Sequence, residues 1–121
     1  MPGQASVTRV DFGGCVIMAA YGHVDVHQIR AGCAAAGHDH IVLDLRQATA
    51  IHPSAASAVA SVCRRVHSCG GTLCIVTAVP AVRARIEGAA LTCCPRFFDD
   101  IGEALEASMT AREAARTPHR T

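Results

Sequence analysis

The chain has 121 residues, which fits one domain with one core, since domains of about 100 to 150 residues are the commonest. Half of its residues are hydrophobic but only one Tyr and three Phe are present, so the core has to be built from Ala, Val, Ile, Leu and Cys. The formal charge is +1, from eleven arginines and no lysine against ten acids spread along the chain, which leaves no basic stripe and excludes nucleic acid as an expected partner.

The first element is a hairpin. Val10 and Phe12 alternate with Arg9 and Asp11, an apolar run follows from Cys15, and Gly13-Gly14 between them suits a tight two-residue turn, so Ser6 to Tyr21 reads as two antiparallel strands. Gly22 to Asp25 breaks the pattern. Val26, Ile29, Arg30, Cys33 and Ala34 then recur at helical spacing, with Asp25 as N-cap and Gly37 as the glycine that ends the helix. Ile41 to Leu45 is a short apolar run between turn residues, the pattern of a strand buried on both faces of a parallel sheet.

A helix begins at Pro53, with Ala56, Val59, Ala60, Cys63 and Val66 on one face and Arg64, Arg65 and Ser68 largely off it, and it ends at Gly70-Gly71. Thr72 to Val76 is the next strand, Val79 to Ala89 a short helix, Arg96 to Phe98 a brief last strand. Ile101, Ala104, Leu105 and Ser108 open a final helix. The apolar stripe fades after Met109, which predicts a tail over residues 109–121 that is frayed from Thr117. The expected fold is α/β: a single domain over residues 6–108 after a short extension, with a mostly parallel central sheet, an antiparallel edge strand and about four helices.

Met1 to Ser6 lacks the basic and apolar regions of an export signal, and no apolar run approaches the roughly 20 residues that span a bilayer, so a cytoplasmic protein with no membrane contact is expected. Seven cysteines, an odd number mostly embedded in apolar runs, are expected to be reduced thiols. Cys15, Cys33, Cys63 and Cys74 read as small hydrophobes, while Cys69, Cys93 and Cys94 lie near element ends, where thiols react. His23, Asp25 and His27, and His38 to His40, lack a Cys pair or a standard ligand motif and read as polar surface residues in turns, so no metal or other cofactor is expected. Catalysis is not expected either. Ser54 has only His52 nearby as a base, and the sequence cannot orient the pair.

The order of elements, together with Gly22-His-Val-Asp25, Ile41-Val-Leu-Asp-Leu-Arg46, Ala50-Ile-His-Pro-Ser54, Gly70-Gly-Thr-Leu73 and Phe97 to Leu105, resembles the STAS domain family, which includes the bacterial anti-sigma factor antagonists. The resemblance runs over Ser6 to Ser108. In the antagonists the loop after the buried strand reads Asp-Ser-Ser-Gly or Asp-Ser-Thr-Gly, and its second hydroxyl is phosphorylated by the anti-sigma factor, itself a serine kinase. Carried across, His52 stands for the Asp, Pro53 for the first Ser, Ser54 for the phosphorylated residue and Ala55 for the Gly. The resemblance therefore implies partner switching: the domain captures an anti-sigma factor, a sigma factor is released, and phosphorylation at Ser54 reverses the capture. It leaves room for a weak homodimer.

The implied contact surface is His52, Pro53, Ser54, Ala55 and Ser57 with Arg64 and Arg65 on the exposed face of the helix. A serine in a first helical turn lies among unpaired N–H groups at the positive end of the dipole, so a phosphate there is expected to be tolerated locally and to act outward on the partner. His52 is not expected to replace the carboxylate as a charged acceptor, Pro53 stiffens the loop, and Ala55 removes the freedom of a glycine. An unswitched module, or one whose association responds to redox state or a small ligand, is the alternative that these three changes leave open.

Overall fold

The computed structural model describes residues 7–12, 14–34, 40–90 and 95–116. Residues 1–6, Gly13, 35–39, 91–94 and 117–121 lie outside the described residues, and with them the expected helix end at Gly37, His38, Asp39, Cys93, Cys94 and the frayed tail. The Cys33 side chain lies outside them as well. The elements, in chain order, are β1 (Val7–Phe12), β2 (Cys15–Ala20), β3 (Gly22–Val24), α1 (Val26–Ala34), β4 (His40–Asp44), β5 (Ala48–Ile51), α2 (Pro53–Ser68), β6 (Thr72–Val76), α3 (Pro80–Ala89), β7 (Arg96–Phe98) and α4 (Ile101–Arg116).

Five strands form the main sheet in the order β1-β2-β4-β6-β7. Among the described residues only β1 is antiparallel to its neighbour, with Phe12 opposite Cys15 and Val10 opposite Ile17. The other pairs are parallel, and Ile41 to Asp44 of β4 lie beside Leu73 to Val76 of β6. The expected α/β fold and its antiparallel edge are what the structure shows.

Alternation along the strands divides the core. Val16, Met18, Ile41, Leu43, Leu73 and Ile75 pack under α1, α2 and α3 with Ile29, Val59, Val66, Val82 and Ile86. Ile17, Val42, Cys74 and Val76 pack on the other face against Ala104, Leu105 and Ile101 of α4. A strand with period-2 side chains and both faces covered has to be apolar along its middle, and in β4 Ile41, Val42 and Leu43 are buried between a buried His40 and a buried Asp44.

Helix ends follow the local sequence. Asp25 caps α1 through a reciprocal pair: Gln28 N–H donates to Asp25 Oδ1 at 3.0 Å and Asp25 N–H donates to Gln28 Oε1 at 2.8 Å. At the C-terminus of α2, Gly70 N–H donates to the His67 carbonyl and Gly71 N–H to the Val66 carbonyl, with Gly70 at φ +80°, a Schellman closure that favours a glycine.

Three elements differ from the sequence reading. β3 and β5, expected as a break and a loop, form a separate two-stranded parallel sheet with Val24 opposite Ile51. Both side chains are buried, so the pairing is held by packing as well as by the ladder. α4, which the sequence reading opens at Ile101, runs on to Arg116, into the residues read as tail. Its second half is anchored by the buried Ser108, whose hydroxyl donates to Cys15 Sγ, and by Arg112, whose guanidinium lies against the backbone of Gly14 in the β1–β2 turn. A side chain at Gly14 is opposed twice, by Arg112 and by a φ of +87°.

Among the described residues Cys15, Cys63, Cys69 and Cys74 form no disulfide, and of these only Cys69 is exposed. Burial pushes the Cys74 thiol up to about 11, so it stays protonated and behaves as a small apolar side chain. No described helix is long and apolar enough to cross a membrane.

The turn after β4 is closed by an ion pair. Arg46 donates from Nε to Asp44 Oδ1 at 2.9 Å, from Nη2 to Oδ2 at 2.8 Å and from its backbone N–H to Oδ1 at 3.0 Å. Burial alone raises the Asp44 carboxyl, but the Arg46 side-chain hydrogen bonds, the Arg46 backbone N–H and the adjacent charge together hold it below its usual value.

Leu43 is 2% exposed at the centre of the core, so Leu43→Asp places an unpaired carboxylate there and should cost several kcal/mol, most of the stability of a domain of this size. A urea denaturation midpoint close to that of the parent would contradict the placement of β4. Because the folded-state carboxyl of Asp44 titrates lower than the unfolded one, its contribution is present above about pH 4 and is lost as pH falls through the folded value. Arg46 is half exposed, so the contribution is about 1 kcal/mol. Denaturation midpoints measured between neutral and acid pH should show Arg46→Ala less stable than the parent at neutral pH and the two converging in acid.

Candidate partner-binding site

In a parallel sheet the chain leaves every strand at the same end. The C-terminal ends of β2, β4, β6 and β7 therefore lie together with the N-termini of α2, α3 and α4, the end at which α/β domains usually place function. The entry to α2 is fixed there by β5. Its last residue, Ile51, is paired with Val24, and the N–H of His52 donates to the Val24 carbonyl at 2.9 Å. Pro53 follows at the first helical position, where the missing N–H costs nothing.

His52 is the N-cap of α2, with φ −69° and ψ 146°. Its Nδ1 accepts from the Ser54 N–H at 3.2 Å and lies 2.9 Å from Ser54 Oγ. An imidazole that accepts at Nδ1 carries its proton on Nε2, so the ring is the neutral Nε2–H tautomer and the Ser54 hydroxyl also donates to Nδ1. Nδ1 of histidine is as many bonds from the backbone as Oδ1 of aspartate. His52 therefore supplies an acceptor at the reach of a carboxylate oxygen, without a carboxylate's negative charge.

The expectation of unpaired N–H groups around Ser54 is corrected. Pro53 has none, the Ser54 N–H goes to His52, and those of Ala55 and Ala56 both go to the His52 carbonyl at 2.9 and 3.0 Å. What remains for an anion is the dipole at the helix end, undiminished by any acid, since α2 contains no carboxylate.

His52, Pro53, Ser54, Ser57, Arg64 and Arg65 are exposed. Ala55 is not: it is fully buried in the core, so it cannot be a contact residue and serves only to seat the first turn. Ser54, Ser57, Ser61, Arg64 and Ser68 follow one another at spacings of three and four and form a single outer stripe opposite Val59, Cys63 and Val66. From Ser54 to Arg64 the stripe runs about 15 Å. Arg64 lies along it, donating to Ser61 Oγ at 3.2 Å, whereas Arg65 is turned aside by about 100°. Ser61 is not among the residues singled out from sequence, although its spacing from Ser54 and Ser57 carries the signal.

The other candidates stay apart. His23 lies on β3 and is exposed, as are Asp25 and His27, and the described residues contain no group of three side chains placed to hold a metal ion. Two clefts along α4, both lined by Glu106 and Thr110, do not include Ser54.

A family model described as the STAS domain matches residues 14–104. No curated protein matches the sequence. Among solved structures, the anti-sigma factor antagonist SpoIIAA in its unphosphorylated form superposes with a TM-score of 0.65 at 18% identity, over 95% of this chain and all of that one. An anti-sigma factor antagonist from Mycobacterium paratuberculosis gives a TM-score of 0.71 at 19% identity, over 89% of this chain and 97% of that one. At these identities the likeness is one of fold, and with the match that spans residues 14–104 it places this chain in the STAS domain family.

Proposed function

We propose that this STAS domain is an anti-sigma factor antagonist, which binds an anti-sigma factor in the cytoplasm through the first turn and outer stripe of α2 and so releases a sigma factor. The observation that carries the reading is the exposed Ser54 hydroxyl, held at the tip of α2 by the His52 ring at the position that the family resemblance marks for phosphorylation. The stripe of serines presents small uncharged side chains that let another helix or strand approach closely, and Arg64 at its far end supplies a planar donor for a carboxylate. Binding, and not catalysis, is what such a surface can do, for Ser54 and His52 stand in water and not in a cleft.

Transfer of a phosphoryl group to Ser54 Oγ by a kinase-type anti-sigma factor adds a charge of about −1.5 to −2. With the first-turn N–H groups already occupied, the phosphate has no backbone cradle and projects outward from the helix end. The favourable dipole keeps the helix intact, while the new charge opposes a partner surface shaped for a neutral loop. Phosphorylation then changes affinity and leaves the fold unchanged. The occupied N–H groups and the lost carboxylate favour a second reading, a constitutive antagonist that binds the anti-sigma factor but is a poor kinase substrate.

Ser54→Ala should keep partner binding, and Ser54→Asp should weaken it by on the order of 1 to 3 kcal/mol in isothermal titration against a candidate anti-sigma factor. Equal affinity for both variants would exclude the switch and leave the unswitched antagonist. The cap is tested separately. His52→Ala should lower stability by about 1 kcal/mol, and His52→Asp, which returns an acceptor of the same reach and adds a favourable charge at the helix end, should match or exceed the parent. If thermal unfolding leaves His52→Ala as stable as the parent, the ring does not cap α2.

A further inference from the structure

We infer, resting on the antagonist reading above, that the outer face of α1, α2 and α3 is an arginine-rich surface that steers this domain onto an acidic patch of the anti-sigma factor. The three helices cover one face of the sheet, and α2 packs against both of the others. Together they carry five arginines, Arg30, Arg64, Arg65, Arg83 and Arg85, and one acid, Glu87. All five arginines are exposed. The opposite face is covered by α4, which follows Asp99 and Asp100 and carries three glutamates against two arginines. The formal charge of +1 thus conceals a separation of charge by layer.

Most of these cations are not spent inside the domain. Arg83 is engaged, since its Nε donates to Glu87 Oε2 at 3.1 Å and its guanidinium lies 4.7 Å from the centre of the Phe97 ring. Arg64 uses one N–H on Ser61 Oγ at 3.2 Å. Among the described residues Arg30, Arg64, Arg65 and Arg85 have no ion-pair partner. α2, in the middle of the layer, contains no carboxylate at all, so the adjacent Arg64 and Arg65 are without a neutralising neighbour on their own helix. A guanidinium is weakly hydrated and presents a planar fork that matches a carboxylate, so the pair loses little on meeting one.

Charge sorted in this way acts before contact. The cations of the three helices attract an acidic surface toward α2 while the α4 layer repels it, so encounters are turned to the productive side. The effect is on the association rate more than on dissociation, and salt screens it over about 8 Å at physiological strength. A compact patch of carboxylates is the matching chemistry. Nucleic acid asks for a continuous run of cations along its backbone, whereas the neutral Ser54, Ser57 and Ser61 fill the stripe that leads to Arg64. The same patch gives a phosphate on Ser54 its sign, because a charge of about −1.5 to −2 at the tip of α2 meets partner carboxylates with like charge.

Stopped-flow association of the full chain with a kinase-type anti-sigma factor, followed from low to high salt, tests the inference, with circular dichroism to verify that each variant is folded. The parent's association rate should fall by about tenfold or more as salt rises. At low salt the double variant Arg64→Glu with Arg65→Glu should associate about tenfold more slowly than the parent, and Arg30→Glu and Arg85→Glu each a few-fold more slowly with dissociation unchanged. Glu103→Arg with Glu106→Arg, an equal charge change on the α4 layer, should associate no more slowly than the parent. A parent that binds at a rate indifferent to salt and to the arginine substitutions would overturn the acidic patch and leave the antagonist reading standing. A parent that does not bind would overturn both. Slowing by the α4 pair would place the contact on the opposite face. Tighter binding of duplex DNA than of the anti-sigma factor at the same salt, or head-to-tail self-association of the parent in sedimentation, would give the arginine face another occupant and overturn the inference.

Discussion

Everything in this molecule depends on β4 being buried on both faces and paired on both sides. A strand so placed has no room for charge until its last residue, and its neighbours must cover it with crossovers that return over the sheet. Parallel pairing to β2 and β6 is the consequence, and it directs all these strands to one end. Asp44 is where β4 reaches that end. The residue is charged because the strand emerges there, and Arg46 both neutralises it and turns the chain toward β5. The ion pair therefore belongs to the path that carries the chain to Ser54.

The site sits at the end of that path. β5 docks on β3, His52 takes the Val24 carbonyl, Pro53 sets the first helical φ, and the His52 ring closes over Ser54. Each step satisfies a backbone group that would otherwise be lost to the solvent side of a short strand or a helix end. A histidine is an unusual choice, because an imidazole offers one lone pair where a carboxylate offers several. Here the single lone pair receives both the N–H and the hydroxyl of Ser54.

Much of this was legible in the sequence, for reasons that also explain what was not. β4, β6 and α2 are long enough for periodicity to show, and the Asp25 cap, Pro53 and Gly70-Gly71 are local signals with local causes. β3 and β5 have three and four residues, contain a glycine and polar positions, and become strands only because they meet each other across more than twenty residues. α4 continues past its apolar stripe for a tertiary reason, the contact of Arg112 with Gly14. The sequence sets His52 beside Ser54 but does not orient the two. Their orientation is set by Val24, which no local pattern connects to them.

The small side chains that the composition imposes decide how a signal at Ser54 can travel. Ala55, Ala56 and Ala60 are buried with almost no exposed surface, so the first half of α2 is seated largely by methyl groups that have no rotamers to change. A first turn held in this way, with its N–H groups occupied, gives a charge on Ser54 no lever into the core. Cores of this density respond to strain by shifting between discrete packings, and an alanine interface offers few alternatives. Any control exercised at Ser54 must therefore be read on the surface, by whatever lies against the serine stripe, and not through a rearrangement of the domain beneath it.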